Sequence, residues 1–231
     1  NLEQVCAGLE RITSALENSG MAAKLRLETA TKELAAAHCD PYLLIYGSEG
    51  SFLDMLRPAG KTFPFPKPAT LPAEVLAAAD KEPAAAGFVY PLEGGFPRLR
   101  VIRRWKGGYI EAYYNLQPLS GYIGEISERR FHSSGLLCLV SSAGVVLGNS
   151  DERAVLERRT LPDFAGVSAS AEPSSSAAPA TQAYAVTSET RDASGEAYIS
   201  FYAPLARYGM GVVIREKKTD VFTALAEMRR L

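Results

Sequence analysis

The sequence lacks an excess of charge of either sign, and it lacks any long apolar run. Its 231 residues include 25 basic and 26 acidic side chains, which gives a formal net charge of -1. Binding to nucleic-acid phosphates depends on a clear basic excess, so nucleic acid is not predicted as a partner. No stretch of about 18 apolar residues occurs, and no segment is predicted to span a membrane. With 47% hydrophobic residues, the chain can form one large or two small cores.

Histidine is scarce, and the motifs that usually accompany catalysis or metal binding are missing. His38 stands beside Cys39 and Asp40, but no second cluster is present to complete a zinc site. His132 lies in "FHSSG", which lacks the glycine pattern of a nucleophile elbow. The sequence contains no glycine-rich phosphate loop and no His-Glu-x-x-His motif. We therefore predict no metal, no cofactor and no enzymatic activity.

Cysteine is also scarce, with Cys6, Cys39 and Cys138 making an odd number. If residues 2–37 form one helix, Cys6 and Cys39 lie roughly 50 Å apart. A disulfide needs Cα atoms within about 7 Å, so this pair is excluded. Cys138 lies in an apolar strand pattern, which is typical of a small buried residue. The cysteines therefore indicate neither an oxidising nor a reducing compartment.

An amphipathic pattern runs through residues 2–37, with Gly20 as its weakest point. It predicts one long helix over residues 1–39, more than about 50 Å in length. The stripe packs on the chain's own sheets or forms a homodimer seam, because the same spacing suits a coiled coil. Both alternatives can hold at different positions along the helix. Apolar or small residues recur in steps of three and four: Leu2, Val5, Leu9, Ile12, Leu16, Ala23, Leu27, Ala30, Leu34 and Ala37.

Beyond Asp40-Pro41, which ends the helix, two similar series of elements are predicted. The first is a hairpin over residues 42–56, a short helix in "PAEVLAAADKE", and strands in "RLRVIRRW", "YIEAYYNL" and "GYIGEI". The second is a hairpin over residues 136–150, a short helix in "DERAVLERR" capped by Ser150 or Asp151, and strands in "QAYAVTSE", "EAYISFYAPL" and "GMGVVIRE". Residues 165–180 read as a low-complexity loop, and a final helix begins near Lys218.

Two stretches of the first series recur in the second. Placing Gly50 on Gly144 also aligns Leu43 with Leu137, and it superposes "YLLIYGSEGSFLDML" on "LLCLVSSAGVVLGNS". Further on, "QPLSGYIGEI" aligns with "APLARYGMGVVI" after one gap. Two matches in the same order indicate two copies of one sheet-based fold.

In this organisation the sequence resembles the double Cache domain, the extracytoplasmic sensor module of bacterial chemoreceptors, sensor kinases and cyclases. The stretches "LLCLVSSAGVVLGNSDE" and "GEAYISFYAPLARYGMGVVIREK" carry most of the likeness. It implies an α+β fold in which a long N-terminal helix is followed by two tandem PAS-like units with antiparallel sheets. The implied boundaries are a helix over residues 1–39, a membrane-distal unit over 40–131, a membrane-proximal unit over 132–217 and an exit helix over 218–231.

The chain begins at Asn1 and stops in "TDVFTALAEMRRL", both within helical patterns. We expect it to be a piece of a longer receptor, with flanking transmembrane helices that this chain does not contain. The resemblance implies that it is the periplasmic or extracellular portion of an inner-membrane protein.

The densest candidate for binding is "RLRVIRRWKGGYIEAYYN", residues 98–115, which combines five basic side chains with aromatic ones. One interpretation is an exposed strand, with Arg98 and Arg100 pointing outward. The other is a pocket in the first unit, in which arginine binds an anion and tyrosine or tryptophan forms an amphipathic wall. In "YIEAYYNL", residues 109, 111 and 113 share one face and residues 110, 112 and 114 the other. The sequence leaves open which of Tyr113 and Tyr114 lines the pocket.

Many double Cache sensors of amino acids carry a Tyr, an Arg-x-Trp core, a second Tyr and a later Asp. Arg103 and Trp105 match the Arg-x-Trp core, whereas Arg98 and Lys106 stand where the tyrosines are expected. Glu125 stands roughly where the Asp is expected. The predicted ligand-binding residues are Arg103, Trp105, Tyr109, Tyr113, Tyr114 and Glu125.

The sequence thus predicts a ligand-sensing domain of a transmembrane receptor, of the chemotaxis or two-component type. It binds a small metabolite of the carboxylate or amino-acid class in the first unit. The second unit carries Tyr198 and Tyr202 without a charge cluster and is predicted to transmit rather than to bind. The alternative is a dimerisation or periplasmic-partner-binding module with no small-molecule ligand.

Overall fold

The computed structural model has an α+β fold with two five-stranded antiparallel sheets, one in each of two compact units, residues 1–116 and 117–231. It describes residues 7, 9–12, 14, 32–36, 38–66, 70–81, 83–105, 107–130, 135–161, 186–191, 194–205 and 208–228. None of the helices in these ranges combines the length and the apolar character that crossing a bilayer requires.

The first unit contains strands β1 (Cys39–Tyr46) and β2 (Phe52–Leu56), helix α1 (Ala73–Ala79), and strands β3 (Ala84–Val89), β4 (Arg98–Trp105) and β5 (Gly108–Asn115). Its sheet has the order β2-β1-β5-β4-β3. The central strand β5 is buried along nearly its whole length, because both faces of the sheet are covered.

The second unit begins with helix α2 (Gln117–Arg130) and continues with β6 (Leu136–Ser141), β7 (Val146–Asn149), α3 (Glu152–Leu156), β8 (Val186–Arg191), β9 (Ala197–Leu205), β10 (Met210–Lys217) and α4 (Lys218–Met228). Its sheet has the order β7-β6-β10-β9-β8, which is the order of the first sheet with each strand replaced by its counterpart. The predicted pair of α+β units with antiparallel sheets is therefore confirmed.

The repeated hairpin is a structural repeat as well as a sequence repeat. Gly50 and Gly144 have φ values of +76° and +78°, a region that glycine adopts more readily than other residues. The carbonyl of Gly50 accepts a hydrogen bond from the N–H of Leu71 at 3.0 Å, and that of Gly144 accepts one from Leu161 at 2.9 Å. The turn of the first hairpin is thus bonded to the segment that precedes α1, and the turn of the second hairpin to the segment that follows α3.

The second sequence match, of "QPLSGYIGEI" with "APLARYGMGVVI", is wrong. Residues 117–130 form the helix α2, which packs on β7 and β6, whereas Pro204 and Leu205 end strand β9. The strand predicted in "GYIGEI" does not form, because packing on the second sheet favours the helix over the local strand propensity. The third strand of the first unit is instead β3, whose alanines and glycine give little strand signal. The units accordingly divide after Leu116 rather than after residue 131.

The single long N-terminal helix is also contradicted. Residues 9–12 and 32–36 are helical, while much of the predicted helix lies outside the described residues. Nε of Arg11 donates a hydrogen bond to Oε2 of Glu33 at 2.5 Å, although the two residues are 22 positions apart. One continuous helix separates them by about 33 Å. Leu9, Ile12 and Leu34 are all buried, and the same spacing arises when two separate helical segments each bury an apolar face.

Candidate functional site

Strand register divides the side chains of the first sheet between two faces. On β4 and β5, Arg104 lies opposite Tyr109, Ile102 opposite Glu111, and Arg100 opposite Tyr113. These side chains share the face that packs against α1 and the segment before it, which we term the covered face. It also includes Tyr42, Leu44 and Tyr46 of β1.

A carboxylate lies at the centre of the covered face. Glu111 has 0% exposed surface, and its two oxygens accept hydrogen bonds from Nε and Nη2 of Arg100 at 2.7 and 2.9 Å. The hydroxyl of Tyr46 donates to Oε2 of Glu111 at 2.9 Å, and the negative charge of the same carboxylate acts on the phenol of Tyr113. Because a buried charge is costly unless it is paired and hydrogen-bonded, this convergence explains how Glu111 is accommodated.

The same environment fixes the protonation of the two tyrosines. Burial, together with the negative charge of Glu111, raises the pKa of Tyr46 and of Tyr113 well above the ordinary value for a phenol. Both hydroxyls therefore stay protonated near neutral pH, and that of Tyr46 donates its hydrogen bond to the carboxylate.

An aromatic wall surrounds this cluster and comes mainly from the proline-rich segment after β2. The rings of Phe65 and Tyr113 are stacked, with centroids 4.5 Å apart and planes 6° apart. Phe63 contacts Phe65 edge-on at 5.4 Å and Tyr113 at 5.7 Å. Tyr42 extends the wall and donates a hydrogen bond to the carbonyl of Thr62 at 2.8 Å. The irregular segment thus supplies a rigid apolar cover for a polar centre.

A second polar group lies at the rim of the covered face. Asp80, at the end of α1, accepts hydrogen bonds from Nη1 of Arg104 at 2.8 Å and from the hydroxyl of Tyr109 at 2.7 Å. The bond to Asp80 and burial together raise the pKa of Tyr109. This rim opens into a pocket of about 310 Å³ lined by Glu10, Ala79, Asp80, Lys81, Pro83, Arg103 and Arg104. The pocket thus combines exposed cations with exposed carboxylates.

The structure brings together only some of the predicted site residues. Tyr109 and Tyr113 lie on the covered face, whereas Arg103, Trp105 and Tyr114 lie on the opposite face of the same sheet. Nη1 of Arg103 donates to Oε1 of Glu10 at 2.7 Å, and Tyr114 is buried. Glu125 belongs to the other unit, on α2, where its side chain is exposed and lies 3.9 Å from Arg129. The six residues therefore do not form one site.

Sequence reasoning missed three residues on the covered face and at its rim. Arg100 was interpreted as an outward-facing side chain of an exposed strand, but it reaches the buried Glu111. Tyr46 and Asp80 lie outside the stretch of residues 98–115 in which the candidates were sought. The available signal was the shared face of Tyr109, Glu111 and Tyr113, since a carboxylate between two tyrosines on one face is unusual for a core strand.

No protein-family model and no curated protein sequence matches the chain. Solved structures do match it. The ligand-binding domain of Mlp24 with asparagine is similar at a TM-score of 0.61 and 10% identity, covering 97% of this chain and 88% of that one. The ligand-binding domain of the Pseudomonas aeruginosa PAO1 amino-acid chemoreceptor PctC, in complex with GABA, is similar at a TM-score of 0.57 and 17% identity, covering 94% of this chain and 91% of that one.

The chain has the fold of these sensor domains. The extracellular domain of rpHK1S-Z16, described as a histidine kinase, also has this sensor-domain fold, with a TM-score of 0.62 and 13% identity over 96% of this chain and 88% of that one. The likeness covers both units in each case. It confirms the double-unit sensor fold that the sequence resemblance implies, and the solved structures that share it are sensor or ligand-binding domains.

The arrangement on the covered face is suited to binding. Its rim offers both a guanidinium and a carboxylate at a pocket of about 310 Å³, which matches the few placed polar groups that orient a ligand in a small-molecule site. A ligand at the rim can exchange hydrogen bonds with Arg104, Asp80 and Tyr109 without breaking the buried pair of Arg100 and Glu111.

Proposed function

We propose that this chain is the extracytoplasmic ligand-sensing domain of a membrane receptor, of the chemotaxis or two-component type. It binds a small metabolite of the carboxylate or amino-acid class on the covered face of the first sheet. The sensor-domain fold supports this role, because the ligand-binding domains that share it include those of Mlp24 with asparagine and of PctC with GABA. The observation that carries the location is the polar rim of Asp80, Arg104 and Tyr109, which opens into the pocket of about 310 Å³.

The rim matches the two charged ends of such a ligand. Arg104 presents a planar guanidinium, which suits a ligand carboxylate. Asp80 and the hydroxyl of Tyr109 form a pair that can accept an ammonium group. Tyr113 belongs to the aromatic wall, four residues along β5 from Tyr109, and is not among the residues that line this pocket. In this proposal Trp105 and Tyr114 support the sheet from its opposite face, and Arg103 lines the pocket together with Arg104.

Asp80 follows α1 and Arg104 lies on β4, so the hydrogen bond between them joins the helix to the sheet. A ligand at the rim replaces this bond with bonds to itself. A ligand shifts an equilibrium between two arrangements only by the difference in its affinity for them. We propose that the position of α1 on the sheet is what the ligand biases, because Asp80 at its C-terminal end is hydrogen-bonded to both Arg104 and Tyr109 of the sheet.

Two arginines of β4 provide a matched test of the location. Arg98 and Arg104 lie on the same face of the sheet and each pairs with one carboxylate, but of the two only Arg104 lines the pocket at the rim. A thermal-shift screen of amino acids, organic acids and purines identifies the ligand, since a ligand that binds only the folded state raises the melting temperature. Titration calorimetry then compares Arg104→Ala with Arg98→Ala, and Arg103→Ala is measured beside them.

We expect Arg104→Ala to weaken binding by about tenfold or more, which corresponds to the loss of one charged hydrogen-bonding group, and Arg98→Ala to leave the affinity nearly unchanged. A larger loss of affinity in Arg103→Ala than in Arg104→Ala places the ligand on the opposite face, as the sequence motif implied. A screen with no hit, combined with a melting temperature that rises with protein concentration, supports the partner-binding or dimerisation module instead.

A further inference from the structure

The second unit contains an arginine whose surroundings differ from those of every other arginine described above. Arg215 lies on β10, opposite Ser200 of β9 and opposite Leu136 of β6. Its guanidinium carbon lies 4.0 Å from the centroid of the Tyr198 ring. This stacking is favourable for the flat face of the guanidinium, but it leaves the N–H groups at the edge unsatisfied.

Two of those edge groups are buried. Nε and Nη2 of Arg215 are inaccessible to solvent, and neither has a hydrogen-bond partner in the part of the chain that the structure describes. Burying charged donors without a partner costs free energy, more for charged than for neutral groups. Such a pair of donors therefore favours an acceptor from outside the chain.

The first unit shows what this edge of an arginine binds. Nε and Nη2 of Arg100 hold both oxygens of Glu111, at 2.7 and 2.9 Å. Nε and Nη2 of Arg98 hold both oxygens of Asp40, at 2.6 and 3.4 Å. The two atoms lie side by side on one edge of the guanidinium, and their parallel N–H groups fit the two oxygens of one carboxylate.

The surroundings of Arg215 combine hydroxyl groups with an apolar cluster. Ser200 is buried, and its Oγ lies 3.3 Å from Oγ1 of Thr190. Leu136 packs against an apolar cluster that includes Cys138, Tyr202 and Val213. A charged group beside hydroxyls at the edge of an apolar cluster is the usual composition of a pocket for a small organic anion.

We propose that the second unit has a binding site of its own, in which the Nε and Nη2 edge of Arg215 binds the carboxylate of a small monocarboxylate. The carbon chain of the ligand then lies against Leu136 and the ring of Tyr198. A single carboxylate is favoured over a dicarboxylate because the next cation on this face, Lys217, lies 3.7 Å from Glu196 and is already balanced. The proposal does not depend on ligand binding in the first unit.

The test uses the whole chain, labelled with nitrogen-15, and sodium propionate as the probe. The Nε–H signal of Arg215 is followed during the titration, with sodium chloride at equal ionic strength as the reference. We expect a saturable shift of this signal, together with shifts of backbone amides in β9 and β10. Arg215→Lys retains the charge but lacks the paired donors, so we expect binding about tenfold weaker. Arg129→Lys, an exposed arginine of the same unit, serves as the matched control and is expected to bind like the wild type.

A shift that stays proportional to concentration and is reproduced by chloride overturns the proposal, as does an Arg215→Lys variant of unchanged affinity. If that variant does not fold, the titration of the wild-type Nε–H signal decides alone. Failure here is distinguishable from failure of the proposed function, since the signals of β9 and β10 report on the second unit and those of β4 and β5 on the first.

Discussion

Glu111 is the residue on which the covered face depends most. It has no exposed surface, and its charge is paired with Arg100 and accepts a further hydrogen bond from the hydroxyl of Tyr46. The side chain of Arg100 is 26% exposed, so only one partner of the pair is fully removed from water. The two halves of the pair are therefore not equivalent. Removing Arg100 leaves the buried carboxylate of Glu111 without a counterion, whereas removing Glu111 leaves the guanidinium of Arg100, which can turn toward solvent.

A double-mutant cycle measures this asymmetry. We expect Arg100→Met to lower the free energy of unfolding by about 3–5 kcal/mol, because Glu111 is then buried without its counterion. Glu111→Leu is expected to cost about 2 kcal/mol, and the double variant less than the sum of the two. Urea denaturation of all four proteins gives the coupling.

The matched control for this cycle is Arg98→Met, on the same strand. Its partner Asp40 retains 18% exposure of its side chain, so the cost is expected to be smaller than that of Arg100→Met. Equal costs for the two arginines, or strict additivity in the cycle, would contradict the view that the burial of Glu111 sets the energy.

At the scale of single elements, β5 shows why the candidate site was only partly predictable. Alternation along "YIEAYYNL" correctly placed Tyr109, Glu111 and Tyr113 on one face of the strand. It did not indicate which face of the sheet α1 covers, because a central strand that is buried on both sides has no exposed polar face. That information lies in the register with β1 and in the position of α1, which are long-range contacts that local pattern does not contain.

Helix α2 and the N-terminal helical segments show where local sequence patterns led to wrong predictions. Helix α2 contains Ile123 and Ile126, which favour a strand locally, and two glycines, which weaken a helix, but the segment is helical because it packs on β7 and β6.

In the N-terminal region the spacing correctly predicted helix and a buried face, at Leu9, Ile12 and Leu34. The prediction of one continuous helix is not supported, and the sequence carries a signal against it, since "ENSG" at residues 17–20 contains the glycine and asparagine that also end helices.

The contact between Arg11 and Glu33 provides a test of whether the N-terminal region is one continuous helix or two helical segments. Spin labels at these two positions, in a chain with Cys6 replaced by serine, report the distance between them by pulsed electron paramagnetic resonance. We expect a distance well below about 25 Å, the label arms included, because the side chains are in hydrogen-bond contact. One continuous helix gives about 33 Å between the backbones. A label pair at Arg11 and Ser14, both in the first helical segment, serves as the short-distance control; a main population near 33 Å would restore the single helix.

At the scale of the whole molecule, the two units share a topology but not a chemistry. Register places Arg100 opposite Tyr113 in the first sheet and Ser200 opposite Arg215 in the second, so the arginine has moved to the neighbouring strand. Glu111 lies opposite Leu44, and its counterpart Val213 lies opposite Cys138. The sequence repeat therefore predicted the shared sheet and not the sites, because the fold does not determine which side chains occupy its covered face. In the two proposals above, this difference is what permits each unit to bind a different ligand.

The buried ionisable groups of both units also give the molecule a common response to alkaline pH. Burial raises the pKa of Tyr46 and Tyr113 above 10.0, the ordinary value for tyrosine, and that of Cys138 from 9.0 to about 12. Each group keeps its proton in the folded chain at a pH at which the unfolded chain releases it. The contribution to stability is therefore complete below pH 9 and declines as the pH rises toward the folded pKa values, by up to about 1.4 kcal/mol per pH unit for each group.

We expect the free energy of unfolding, measured in urea, to be nearly constant between pH 7 and pH 8.5. It is expected to fall above about pH 9, where the unfolded chain releases the proton of Cys138 and the folded chain keeps it. The fall is steeper above pH 10, where the buried tyrosines add the same effect. The double variant Tyr46→Phe, Tyr113→Phe is less stable at neutral pH, but its slope between pH 10 and pH 11 is shallower, because two titrating groups have been removed. Tyr122→Phe, on an exposed tyrosine of α2, is the control and leaves the slope unchanged. If the double variant and the wild type lose stability in parallel above pH 10, the buried hydroxyls are not the groups that resist ionisation, and the network around Glu111 is less well shielded from water than its contacts indicate.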